Sequence, residues 1–248
     1  TPFEAQARLA LLAIYERSRD WSHAASIAQK MHAADQGDFS TRQAHYLCEQ
    51  ALALSVQGDR AGAKALLEQA IAAAPDAARA RIELARLQQL MGQPDAVLAT
   101  LQTLGERAPA ALPLAAPLLV EAGNATGRQA EVHARLVAHY EQSPSLDVLE
   151  SIVAMEAAND ATQATARARY VQHLDKERSL VAAAKWLSAE KLEHEEFHPQ
   201  IQRALEHAVK PLTRYRCAAC GFEARQHFWQ CPGCQTWDSY PARRVEEL

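Results

Sequence analysis

The stretch GDRAGAKALLEQAIAAAP, Gly58–Pro75, decides how the first two hundred residues are read. A glycine opens it and a proline closes it 17 residues later, with small or apolar residues at Ala63, Leu67 and Ala70 between them. The same arrangement runs from Gly92 to Pro109, with Val97, Leu101 and Leu104. It returns from Gly127 to Pro144 with Val132, Leu136 and a weaker match at His139. The glycines are 34 and 35 residues apart, so the chain repeats itself at a fixed period.

A period near 34, with an internal glycine and a terminal proline, resembles the tetratricopeptide repeat. The pattern is that of its second helix, G-x4-A-x3-L-x2-A-x4-P. Each unit is expected to be two antiparallel helices. Glycine permits the tight turn between them, where a positive φ is needed. Small residues such as Ala63 and Ala70 let the helices approach, and proline ends the unit because it cannot continue the helix. One such pair cannot bury its apolar face alone, so neighbours stack into a solenoid. An earlier unit is visible in DWSHAASIAQKM, with Asp20 and Trp21 at the turn and Ala24, Ala28 and Met31 inward. The segment 32–40 holds the few extra residues before the next unit. A degenerate unit follows from Ser145, in which Asn159 replaces the glycine, and Asn also tolerates the left-handed conformation. A further helical pair is expected over 177–192 and 198–209. Cys48 reads as a small buried apolar residue, and Trp21 and Trp186 as core.

Charged residues make up 23% of the 248 and apolar ones 48%, the balance of a folded, soluble chain. The net charge of −4 argues against binding nucleic acid through bulk positive charge. No apolar run reaches the roughly 18 residues of a membrane span. The chain opens on Thr1 inside helical sequence, so a fragment of a longer protein is expected.

HEEFH, His194–His198, matches the HExxH pattern of zinc hydrolases. Pro199 follows directly, and a residue before proline is pushed out of the α region. His198 is therefore expected at a helix boundary, where the two histidines do not share a face. No third-ligand pattern follows, and no Ser/His/Asp or Cys/His arrangement stands elsewhere. The reading is a non-enzyme with no catalytic residues.

After Pro211 the composition changes. Six of the chain's fifteen aromatics, Tyr215, Phe222, Phe228, Trp229, Trp237 and Tyr240, fall in the last 38 residues. Residues 211–248 are expected to form a separate small domain after a repeat region spanning 1–210. A domain this short needs a staple beyond its core. Cys217, Cys220, Cys231 and Cys234 supply one, as two CxxC pairs whose loops can face each other around one metal ion. Gly221 after the first pair and Gly233 within the second serve the tight turns, and Pro232 stiffens the second loop. Thiolate S4 sites accept zinc or a single iron, and both stay open. YRCAACGF and WQCPGCQTW resemble rubredoxin in their loops and flanking aromatics. The tail carries five arginines against four acids, a surplus that falls to about −1 once four thiolates and a divalent metal are counted. A nucleic-acid module is normally far more basic. The aromatic excess and the short link at Lys210–Thr213 predict that the module docks on the repeats.

Taken together, the repeats and the pattern RYRC-x2-CGF…W-x-CP-x-C-x2-W resemble the lipopolysaccharide assembly protein B family. The implied fold is an all-α tetratricopeptide-like helical solenoid with a small C-terminal rubredoxin-like, zinc-ribbon metal domain. The resemblance implies metal ligation by Cys217, Cys220, Cys231 and Cys234. It further implies a regulatory adaptor on the cytoplasmic face of the bacterial inner membrane, in a parent protein anchored by an N-terminal helix. Such an adaptor promotes degradation of the lipid A pathway deacetylase through a membrane-anchored ATP-dependent zinc protease, and contacts other lipopolysaccharide assembly proteins. The alternatives are a rubredoxin-like electron-transfer protein and a zinc-ribbon regulator that binds nucleic acid.

Overall fold

A computed structural model describes residues 2–158, 166–188 and 195–248. The chain divides into two compact units, the first ending at Ala111 and the second running from Leu112 to Leu248.

In the first unit the helices are α1 (Pro2–Ser18), α2 (Trp21–Ala33), α3 (Ser40–Val56), α4 (Arg60–Ala73), α5 (Ala78–Leu90) and α6 (Pro94–Arg107). Helices consecutive in sequence pack on each other as hairpins. The turns show why the glycines recur. Gly58 and Gly92 hold φ of 89° and 68°, and the next residue bonds back across the helix end. These bonds are Asp59 N–H to the Leu54 carbonyl and Gln93 N–H to the Gln88 carbonyl, both 3.0 Å. That six-to-one bond satisfies helix-terminal carbonyls and needs a left-handed residue. The α1–α2 turn has the same bond, from Asp20 N–H to the Tyr15 carbonyl at 2.9 Å, yet Arg19 takes the left-handed place at φ 56°. Asp20 and Asp59 then cap α2 and α4 by accepting from the His23 and Gly62 amides.

The repeat positions form the core. Ala63, Leu67 and Ala70 of α4 and Val97, Leu101 and Leu104 of α6 are buried, as are Ala24, Ala28 and Met31 of α2. Cys48 is fully buried, and burial pushes its thiol up to about 12. An ion pair from buried Arg79 to half-buried Glu49, 2.6 Å long, ties α5 to α3.

The second unit contains α7 (Ala116–Thr126), α8 (Gln129–Gln142), α9 (Leu146–Ala157), α10 (Ala168–Lys176), α11 (Leu180–Leu187) and α12 (His198–Val209). A 3-10 stretch over Pro109–Ala115 shortens α7 at its start. Pro109 and Pro113 fall in this segment and Pro117 in the first turn of α7, and each removes a backbone donor. Gly127 at φ 71° again turns the chain, with Arg128 N–H on the Gly123 carbonyl at 2.9 Å. Gly123 is where α7 meets α8, since a Cβ there would stand 2.8 Å from the Val132 side chain. In α8 the buried set is Val132, Leu136 and Tyr140. Tyr140, and not His139, takes the third inward place because it stands four residues after Leu136 on the same helix face, which leaves His139 half-buried. Its hydroxyl lies 2.6 Å from His173 Nδ1.

His198 opens α12, with Pro199 in its first turn and a 3-10 turn over Glu195–Phe197 before it. His194 and Asn159 lie outside the described residues.

Candidate metal centre

The tail is built on one short antiparallel pairing. Strand β1 (Tyr215–Arg216) pairs with β2 (Glu223–Ala224) in the register Tyr215↔Ala224 and Arg216↔Glu223. The loop between them carries Cys217 and Cys220. A second loop, closed by a bridge between Gln230 and Trp237, carries Cys231 and Cys234. The two loops fold alike. Gly221 N–H donates to the Cys217 carbonyl at 2.9 Å and Cys217 N–H to the Phe222 carbonyl at 2.9 Å. In the second loop Gln235 N–H donates to the Cys231 carbonyl at 2.8 Å and Cys231 N–H to the Thr236 carbonyl at 2.9 Å.

The left-handed residue closing each loop is Gly221 in the first and Gln235 in the second, with φ of 77° and 61°. Gly233, expected to serve the turn, does not carry the positive φ. A Cβ there would make only ordinary contact with the Phe222 side chain, at 3.4–3.5 Å.

All four sulfurs lie within 4.8 Å of one another, a group that could hold a metal ion. Cys217 Sγ is 3.8 Å from Cys234 Sγ, and Cys220 Sγ is 3.7 Å from Cys231 Sγ. A tetrahedral ion with metal–sulfur bonds of about 2.3 Å requires sulfur–sulfur edges of about 3.8 Å. A disulfide would require about 2.05 Å. The donor set therefore fits a single tetrahedral ion, and the cysteines are unpaired thiols.

The surroundings favour thiolate at Cys217 and Cys234. Burial works against charge on Cys217, but the Ser239 hydroxyl at 3.2 Å and the backbone amides of Cys220 and Ala219 outweigh it and pull the thiol down to about 6. Cys234 is also lowered, first by the Thr236 hydroxyl, 3.3 Å away, and then by the Thr236 amide. The Phe222 amide lowers Cys220, yet burial and its three sulfur neighbours leave it pushed up to about 12. Four thiolates cannot share so small a volume without a cation to offset them. Ser239 and Thr236 are residues that the CxxC spacing does not reveal.

Cys217 and Cys231 are buried with Tyr215 and Tyr240 in a small core, against which Leu114, Ala224 and Phe228 pack. Cys220 and Cys234 face solvent. Within this second unit the ribbon contacts helices, as the aromatic excess led us to expect, through one of those aromatics, Tyr215, together with Arg244. The Tyr215 hydroxyl donates to Asp147 of α9 at 2.9 Å. Arg244 pairs with the same carboxylate and lies 4.5 Å over the Tyr215 ring. Trp229 and Trp237 are half-buried.

Residues 57–122 match the tetratricopeptide repeat family, and residues 215–240 match the rubredoxin metal binding domain family. Lipopolysaccharide assembly protein B of Escherichia coli strain K12 aligns over 254 residues at 24% identity, covering 100% of this chain and 65% of that protein. The proteins of that name from strains O6:H1 and O157:H7 align with the same identity and coverage. The chain thus spans about 65% of the length of the curated relatives it matches. The solved structure MamA MSR-1 C2 superposes with a TM-score of 0.42 at 18% identity, over 70% of this chain and 97% of that one. Repeats, cysteine ribbon and full-chain alignment agree: the chain is similar to lipopolysaccharide assembly protein B from end to end.

Proposed function

We propose that this chain is the body of a non-enzymatic adaptor in lipopolysaccharide assembly. Residues 1–210 form its helical scaffold, and residues 211–248 a module held by one metal ion on Cys217, Cys220, Cys231 and Cys234. The observation that carries the reading is the alignment of the whole chain, repeats and ribbon together, with lipopolysaccharide assembly protein B. The sulfur geometry supports a metal, zinc or iron, which the four thiolates would hold; its role would be structural, fixing the two loops together. Helical repeats bind other proteins through exposed helix faces and carry no chemistry of their own.

In the finer reading, the parent protein works at the cytoplasmic face of the inner membrane. It delivers the lipid A pathway deacetylase to a membrane-anchored ATP-dependent zinc protease, and it contacts other assembly proteins. Among the described residues no helix is long and apolar enough to cross a membrane, so an anchor would have to come from elsewhere in the parent. The test is the half-life of the deacetylase in cells depleted of their own copy, with and without the full-length parent protein. The reading expects the parent to shorten that half-life and a Cys217→Ser form to fail. An unchanged half-life would sink the delivery role. A second reading, electron transfer, draws on the solvent exposure of Cys220 and Cys234. Protein from the native host that contains only zinc would exclude it.

A further inference from the structure

The residues after the ribbon do not trail away. Val245 N–H donates to the Arg214 carbonyl at 2.7 Å and Glu246 N–H to the Leu212 carbonyl at 3.2 Å, which lays the tail beside the strand entering the first cysteine loop. The tail's starting point is fixed inside the ribbon, where Ala218 N–H meets the Ser239 carbonyl at 2.7 Å and His227 Nε2 the Tyr240 carbonyl at 2.9 Å. From there two adjacent glutamates reach two different helices. Glu247 accepts from the Leu146 amide, the first of α9, at 2.8 Å, and from its own Arg244 amide at 2.6 Å. Glu246 accepts from the Leu180 and Val181 amides at the start of α11, and from the Ser179 hydroxyl at 2.7 Å. Ser179 Oγ in turn accepts from the Ala182 amide at 2.9 Å. The first three amides of α11 therefore rest on Glu246, directly or through Ser179.

These amides have no partner within their helices, and a carboxylate at a helix N-terminus also meets the favourable end of the helix dipole. α11 has eight residues, too few to persist in water on helical propensity alone. The caps come from 65–101 residues away in sequence, so they exist only while the tail is in place.

We propose that Arg244–Glu247 is a latch through which metal loading of the ribbon controls the start of α9 and of α11. With the four thiolates held by a cation, the ribbon fixes Ser239 and Tyr240, the tail lies against Arg214 and Leu212, and both helices are capped. Without the cation the two loops lose their common anchor, the tail leaves, and the ends of α9 and α11 fray. The tail is the two-position element that such coupling requires. This inference rests on the metal reading of the four cysteines and is independent of the adaptor's partners.

The test is hydrogen exchange on the full chain, zinc-loaded and chelator-stripped, with zinc content measured on the same samples. Stripping should speed exchange of the Leu146, Leu180 and Val181 amides by roughly tenfold, the strength of a helix cap. Amides of α4, in the other unit, should not change. The variant E246A/E247A should show the same loosening while still holding one zinc per chain and keeping the Cys217 and Cys231 amides protected. The latch is overturned if Leu180 and Val181 stay protected after zinc is lost, or if E246A/E247A exchanges like the parent. A chain that takes up neither zinc nor iron overturns the metal reading beneath it, and the latch with it.

Discussion

Asp147 and Arg244 should be energetically coupled, and the size of the coupling can be worked out from their geometry. Arg244 Nε lies 3.1 and 3.2 Å from the two Asp147 carboxylate oxygens, with Nη2 on the same group. At 3.1 Å and an effective dielectric near 20, Coulomb's law gives about 5 kcal/mol. Asp147 is only 11% exposed, so desolvation is substantial and should cancel about half of this. A net coupling of about 2–3 kcal/mol remains. Arg244→Leu should cost more than that, about 3–4 kcal/mol. It also loses the contact over the Tyr215 ring, worth about 0.5–1 kcal/mol, and a hydrogen bond to the Thr213 carbonyl. Asp147→Asn should cost about 2–3 kcal/mol, since an amide still accepts from Tyr215 but no longer pairs with the guanidinium. The assay is a double-mutant cycle by urea unfolding, followed through the ribbon tryptophans. The doubly substituted chain should be more stable than the sum of the single losses predicts, by the coupling. Additivity within about 0.5 kcal/mol would refute the reasoning and reduce the pair to a surface contact.

Gln235 sits at φ 61° where the matching position of the first loop is Gly221, so Gln235→Gly should raise the thermal midpoint of metal-loaded protein, by about 1 kcal/mol of stability; a loss would mean its side chain matters more than its backbone strain. Gly123→Ala should destabilise despite better helical propensity, by about 1–2 kcal/mol, because Val132 stands 2.8 Å from the new methyl; adding Val132→Ala should recover most of it in denaturant titrations. Burial pushes the Glu156 carboxyl up, but its hydrogen bonds to Arg169 and His133 win and hold it below 4.5. Its contribution is thus complete above 4.5 and is lost as pH falls through the lower folded value, so Glu156→Gln should cost about 2 kcal/mol at neutral pH and flatten the acid limb of a melting-temperature profile. Cys217→Ser should abolish stoichiometric metal binding and disorder the tail while far-ultraviolet circular dichroism keeps most of its helical signal.

The repeats were legible because every copy solves the same local problem. A helix end that turns back within two residues needs a left-handed residue, glycine is the cheapest, and so Gly58, Gly92 and Gly127 stand one period apart. The same geometry without glycine leaves no mark, which is why Arg19 and Gln235 could not be found from sequence although each holds the equivalent backbone. The cysteines were legible for a related reason: a CxxC loop fixes two sulfurs by local spacing, and only the meeting of two loops had to be inferred.

What spacing cannot carry is a bond whose partners may stand anywhere in the chain. The tail in sequence is RRVEEL, an unremarkable charged end, and its carboxylates look solvated. In the structure Glu247 meets an amide 101 residues away, Glu246 meets amides 65 and 66 residues away, and Arg244 meets a carboxylate 97 residues away. Helix N-termini need such partners, but a serine in the preceding position already satisfies the sequence-level rule, as Ser145 and Ser179 do. One serine satisfies one amide, and α11 exposes at least two more. The shortfall is visible only as a count of donors against acceptors at each helix end, made once the fold is known. It is met here by residues whose position depends on the metal ribbon. The part of the chain least readable in sequence is therefore the part that joins its two chemistries, helix capping and thiolate binding.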